Sequence, residues 1–249
     1  MRRALFLLVL AIPIVAEFTY QKPPQEILDI LNAPAPPVLG VNPPRTYATL
    51  SQPERYPSIA EVSQPMLRLA GLRINPRTNG LHLAPSNISI TLVRLSDGAK
   101  IPLSLPPDSR ASSLRWSADG KQFAIANTTA NGIDLWIGDA ATGKIRRIDG
   151  IKLNTVLGDP IDWLPDNRTL LVKAVPSGRG PAPREAAVPT GPHVQESDGH
   201  AGPVPTYEDM LQNPHDEDLF EYYATAQLAG STAGMGPSHR SAIPDCWIK

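Results

Sequence analysis

The chain has 249 residues, 28 of them proline, with 23 basic against 24 acidic side chains and a formal net charge of -1. That length holds one or two domains. The balanced charge gives no electrostatic case for nucleic acid or for an anionic membrane surface. The single cysteine, Cys246, excludes an internal disulfide framework.

In chain order, Met1 to Arg3 form a basic start and Ala4 to Ala16 an apolar run. That run is too short for the ~20 residues a spanning helix needs, so residues 1–16 read as a signal peptide. The expected location is periplasmic or secreted, with no membrane span. Residues 17–85 read as an extended, proline-punctuated leader packing on the strand-rich middle of the chain. Within it, Pro23 to Leu31 suits a short amphipathic helix, with proline at its first positions and Ile27, Leu28 and Leu31 on one face. Ile59 to Leu69 adds a helical turn or two, interrupted at Pro65.

The middle, residues 86–175, reads as strand and turn. Thr91 to Leu95, the turn Ser96-Asp97-Gly98 and Lys100 to Leu103 make one hairpin. Trp116-Ser-Ala-Asp119-Gly120 followed by Phe123-Ala-Ile125 is then repeated as Trp163-Leu-Pro-Asp166-Asn167 followed by Leu170-Leu-Val172. The two tryptophans are 47 residues apart, close to the ~40–50 residues of a β-propeller blade. Asp-Gly and Asp-Asn supply the positive φ angles of tight hairpin turns. The short apolar runs suit strands buried on both faces. Ile133 to Ile137 and Ile145 to Ile148 form a further hairpin, with Gly143 at a left-handed position. Residues 112–149 therefore supply the four strands of one blade. The expected fold is all-β: a partial β-propeller of about two to three blades over residues 86–229, with a long loop at 176–214. Thr206 to Asp209 resembles a capping box opening a helix to Gln212, and Phe220 to Leu228 reads as a strand. From Gly230 to Lys249 the sequence has no strand period, and residues 230–249 read as an aberrant, disordered tail.

The leader and loop also carry a family resemblance. Tyr20-Gln-Lys-Pro-Pro-Gln-Glu-Ile-Leu-Asp-Ile-Leu-Asn-Ala-Pro-Ala-Pro-Pro37 resembles the glutamyl endopeptidase branch of the prolyl oligopeptidase (S9) serine peptidases. So do Arg55 to Glu61, Gln64 to Pro76, Gly178 to Pro183 and Thr206 to Asp216, and the likeness runs from about residue 18 to Ala229. The resemblance implies a secreted peptidase in which a propeller restricts access to an α/β-hydrolase domain with a Ser-Asp-His triad. Its implied partners are peptide substrates, cut after acidic residues, and that hydrolase domain. The chain is expected to stop before the hydrolase domain and to leave the family pattern after Ala229, as a frameshift or recombination would. It is therefore expected to be inactive alone. The alternative reading is a periplasmic propeller that binds a protein partner. An incomplete ring of blades is expected to self-associate through open sheet edges.

No catalytic, cofactor-binding or metal residue is assigned. The chain lacks the Gly-x-Ser-x-Gly elbow of a hydrolase nucleophile. Gly230-Ser231-Thr-Ala-Gly234 is the nearest string, with serine one place early. His193, Glu196, Asp198 and His200 are close enough in sequence to hold a metal, but read as a solvated loop. Asp216-Glu217-Asp218 reads as a helix start favoured by the macrodipole, ahead of a calcium site. Asn87, Asn127 and Asn167 head glycosylation sequons, of little weight because the chain is expected to be bacterial. No phosphate-binding glycine loop is present, and no cofactor is expected.

Overall fold

A computed structural model describes residues 21–186, Gly199, 208–232 and 240–248. The signal-peptide segment therefore lies outside the described residues, as do His193, Glu196, Asp198 and His200. The chain divides at Pro34 into two units. The first holds α1 (Gln25–Asn32), capped by Pro24, with Gln25 Nε2 donating to Asp29 Oδ1 at 2.7 Å. This is the amphipathic helix expected from the proline pair and the apolar spacing.

The second unit is mostly antiparallel β-structure. Its elements run β1 (Val38–Val41), β2 (Tyr47–Pro53), α2 (Ile59–Val62), β3 (Leu67–Leu69), β4 (Leu72–Asn75), β5 (Gly80–Leu81), β6 (Asn87–Arg94) and β7 (Lys100–Pro102). There follow β8 (Arg110–Trp116), β9 (Gln122–Thr129), β10 (Gly132–Asp139), β11 (Ile145–Lys152), β12 (Ile161–Trp163) and β13 (Thr169–Ala174). The last are α3 (Pro214–Ala224), β14 (Ala226–Thr232) and β15 (Arg240–Ile248). Three four-stranded meanders result: β1-β2-β6-β7, β8-β9-β10-β11 and β12-β13-β14-β15. The first two meet through a single pair, Asn87 with Ala111. A separate sheet, β3-β4-β5, and α2 are inserted between β2 and β6.

Strand β9 shows how the sequence builds the core. Side chains alternate across a strand with a period of two. Phe123 and Ile125 enter one cluster with Ile90, Leu92, Leu103 and Ala111. Ala124 and Ala126, on the opposite face, enter another with Leu135, Ile148, Leu153, Ile161, Leu170 and Val172. The run is apolar throughout because both faces are covered. Trp116 packs edge-on against Phe123 at 5.2 Å between ring centroids and stacks on Tyr47 at 6.5 Å.

The repeated hairpins close as the sequence predicts, with Gly120 at φ +66° and Asn167 at φ +55°. A third copy lies in the stretch read as an irregular leader. Asn42, Ser117 and Leu164 each donate a backbone N–H to the residue five places on, Tyr47, Gln122 and Thr169. Each also accepts from the residue three places on, Arg45, Gly120 and Asn167, all left-handed. Residues 38–81 thus hold five strands, β1 to β5, and α2 where an extended leader was expected. The turn Asn42-Pro-Pro-Arg45 lacks both the tryptophan and the aspartate that mark the other two.

Three further expectations are corrected. Tyr222 and Tyr223 lie on α3, not on a strand: Asn213 caps the helix by accepting from Asp216 N, and Pro214 sits in its first turn. The helix ends at Ala224, where Thr225 turns extended, and Tyr223 and Ala224 are buried in a cluster with Leu69, Ile74 and Val156. There Asn79 and Asn154 donate to the Tyr223 carbonyl at 3.1 and 2.9 Å, satisfying an otherwise orphaned helix-end acceptor. No helix covers Glu208 to Gln212; Asp209, at φ +57°, instead pairs with Arg68 and Arg73. The expected tail also contains a strand. β15 pairs with β14 from Ser231–Arg240 to Ala226–Ile248, because an open strand edge offers backbone hydrogen bonds that need no side-chain period.

Candidate functional site

A cleft of about 500 Å³ lies at the start of β8. Its walls come from α2 and its flanks (Glu54, Ser58, Glu61, Gln64), from the segment 75–86, and from the ends of β8 and β9 (Arg110, Thr128). Arg110 is the organising residue. Its Nε donates to Glu61 Oε1 at 2.7 Å and lies 2.9 Å from Glu54 Oε2, and its Nη1 donates to the Ser109 carbonyl at 3.3 Å. All three ionic side chains are mostly buried, at 17–23% exposure.

Glu61 is placed by a capping box. Ser58 N and Oγ both donate to Glu61 Oε2 at 2.8 Å, and Glu61 N returns a bond to Ser58 Oγ. The Arg110 hydrogen bond is the main cause that holds the Glu61 carboxyl down at about 2, with the Ser58 donors helping and desolvation opposing. Arg110 is pushed up in turn, chiefly by its bond to Glu61. The cleft is therefore a fixed, ionised surface. Serines and threonines line it, but neither described histidine does, so no serine–histidine pair is assembled in it among the described residues. A second cavity of about 360 Å³ shares Asp108, Thr128, Thr129 and Ala130 with it and continues to Asp134, Trp136 and Arg147.

The residues singled out from sequence fall elsewhere. Ser231 lies in the body of β14, between Leu170 and Arg240, and is 2% exposed, so it occupies no strand-to-helix elbow. Asp216 and Glu217 occupy the first turn of α3, where Asp216 Oδ2 accepts from Gln212 N at 2.8 Å. Asn87 donates to the Ala111 carbonyl, Asn127 accepts from Arg110 N, and Asn167 accepts from Asp119 N. All three sequon asparagines are thus structural. Among the described residues no group of three or more His, Cys, Asp or Glu side chains could hold a metal ion. No helix among them is long and apolar enough to cross a membrane. Sequence reasoning missed Glu54, Glu61 and Arg110. Only the Ser58-x-x-Glu61 spacing, a capping box, signalled any part of the cleft.

No family model matches the chain. It is 31% identical over 238 residues to "Probable glutamyl endopeptidase, chloroplastic" of Oryza sativa subsp. japonica, covering 88% of this chain and 25% of that protein. It is 32% identical over 223 residues to the protein of the same description from Arabidopsis thaliana, covering 84% and 23%. The chain thus spans about a quarter of the length of these curated relatives. Among solved structures, the orthorhombic form of Pyrococcus horikoshii acylaminoacyl peptidase superposes with a TM-score of 0.33 at 18% identity, covering 60% of this chain and 20% of that one. TolB from Acinetobacter baumannii superposes with a TM-score of 0.32 at 13% identity, covering 86% and 44%. Over the residues it spans, the chain is similar to these glutamyl endopeptidases.

Proposed function

We propose that this chain is the N-terminal, non-catalytic β-propeller portion of a secreted S9-type serine peptidase of the glutamyl endopeptidase kind. The observation that carries the reading is the likeness over 88% of the chain to a protein of which it covers 25%. Two features of the structure support it. Successive four-stranded meanders that open on the same turn suit blades. A cleft without a serine–histidine pair suits a part that handles access and leaves the chemistry to another domain. In this reading residues 1–16 direct export and the three meanders form the propeller portion. An α/β-hydrolase domain elsewhere in the intact protein supplies the triad, and peptide substrates reach it past these sheets.

The test is an assay of the purified chain on a chromogenic glutamyl peptide. The same assay is run on a chimera in which residues 21–229 replace the matching stretch of the rice relative. The chain alone is expected to give no turnover and the chimera to be active. Turnover by the chain that survives a control for contaminating protease overturns the reading.

A further inference from the structure

A folded chain is cut where its backbone is exposed and makes no hydrogen bonds, and a peptidase of glutamyl specificity also needs a glutamate on the acyl side of the bond. The glutamates of this chain separate on those grounds. Glu26, Glu61, Glu217 and Glu221 lie in helices. Glu54 is paired with Arg110, and Glu208 with Arg73. Glu185 is exposed, lies in no helix or strand, and has no ion pair or hydrogen bond among the described residues. The backbone from Pro183 to Ala186 makes no hydrogen bond among them either.

The contacts on either side decide what a cut at this point leaves. Upstream, the Arg179 guanidinium lies 4.0 Å from the Tyr222 ring centroid, and its Nη1 donates to the Tyr222 carbonyl at 2.9 Å. Tyr222 Oη donates in return to the Gly180 carbonyl at 2.8 Å, and Ala182 packs on the cluster that holds Leu69 and Ile74. Downstream, Gly71 N donates to the Asp209 carbonyl at 2.8 Å, and the buried Asp209 carboxylate pairs with Arg73 Nε at 2.9 Å. Tyr223 and Ala224 belong to the same cluster, and β14 pairs with β13 from Thr169 to Ala174. A cut between these anchors removes a tether, worth a local concentration in the millimolar range, and none of the contacts.

We propose that the Glu185–Ala186 bond is a processing site for a peptidase of glutamyl specificity, and that the cut chain stays one folded body. Water adds across this one amide, leaving Glu185 with a new α-carboxylate and Ala186 with a new α-amino group. The chain is the substrate in this step, whatever activity the intact protein has. The cut puts β12 and β13 on one piece and β14 and β15 on the other, so the third meander is then held by strand pairing and the two sets of anchors.

The test is limited digestion of the purified chain, carrying an affinity tag at its C terminus, with a glutamate-specific serine protease at a low enzyme ratio. The first cut is expected after Glu185, identified by a new N terminus at Ala186, about ten-fold faster than at any other glutamate. The tagged piece should retain the other piece one-to-one on the affinity matrix until urea is added. Glu185→Gln should slow the first cut about ten-fold while leaving the thermal transition of the uncut chain unchanged. A first cut after another glutamate, no cut at all, or a Glu185→Gln chain cut as fast as the parent overturns the processing site. Pieces that part without denaturant overturn the claim that the cut chain stays whole.

Discussion

Replacing Glu61 by glutamine tests the ionic centre of the cleft directly. The carboxyl is held at about 2 against its ordinary 4.5, and each pKa unit of difference between folded and unfolded chain corresponds to ~1.4 kcal/mol. The ceiling on its contribution is therefore about 3 kcal/mol. Glu54, 2.9 Å from the same Arg110 Nε, still partners the guanidinium in the variant. A loss of about 2 kcal/mol at pH 7 is expected. Because the folded pKa is depressed, this stability is fully present above the unfolded value near 4.5 and disappears as pH falls through 2. Urea unfolding of both proteins at pH 7, 5, 3.5 and 2.5 reads the difference. It should hold constant from pH 7 to 5 and then shrink steadily. A difference below about 0.5 kcal/mol at pH 7, or one that stays level down to pH 2.5, would refute the assignment of Glu61 as the principal partner of Arg110.

Two further substitutions probe the repeated turns. Gly120→Ala should cost about 2 kcal/mol or more in urea unfolding: Gly120 sits at φ +66°, and an added Cβ would meet Asn42 Nδ2 and Pro44 Cγ within about 2.5 Å. A loss under about 0.5 kcal/mol would show that this turn relaxes freely. Trp163→Phe removes the bond from the indole Nε1 to the Arg115 carbonyl at 2.9 Å and should cost about 1 kcal/mol, read as a lower melting temperature. An unchanged melting temperature would mean that this bond does not help hold the third meander to the second.

The legible part of this fold was the part where local chemistry and burial agree. Trp116-x-x-Asp119-Gly120 and Trp163-x-x-Asp166-Asn167 announce their turns because a left-handed residue and an aspartate acceptor are written into the sequence. The first turn makes the same hydrogen bonds with Asn42 and Arg45, residues that do not advertise a hairpin, and the insertion carrying α2 and β3-β4-β5 hides the period. Tyr222 and Tyr223 have strand propensity, yet Asn213, Pro214 and the acidic first turn nucleate a helix that overrides it. β15 was invisible because its placement comes from the partner edge of β14. The cleft was illegible for a similar reason. Glu54 just past β2, Glu61 on α2 and Arg110 on β8 meet only after those three elements are in place. Ser231 shows the converse: a serine among glycines drew notice as a string, but its strand position removes it from any nucleophilic role.

The tips of the repeated hairpins carry a consequence for how the chain assembles. Asn42 Nδ2 donates to the Gly120 carbonyl, and Asp119 N donates to Asn167 Oδ1, so each turn reaches the next one in sequence. Such nearest-neighbour links let the sheets form in order of synthesis, each new hairpin finding a finished edge waiting for it. A defect at one turn therefore bears first on the sheets beside it, and one at Gly120, which stands between the other two turns, touches both neighbours.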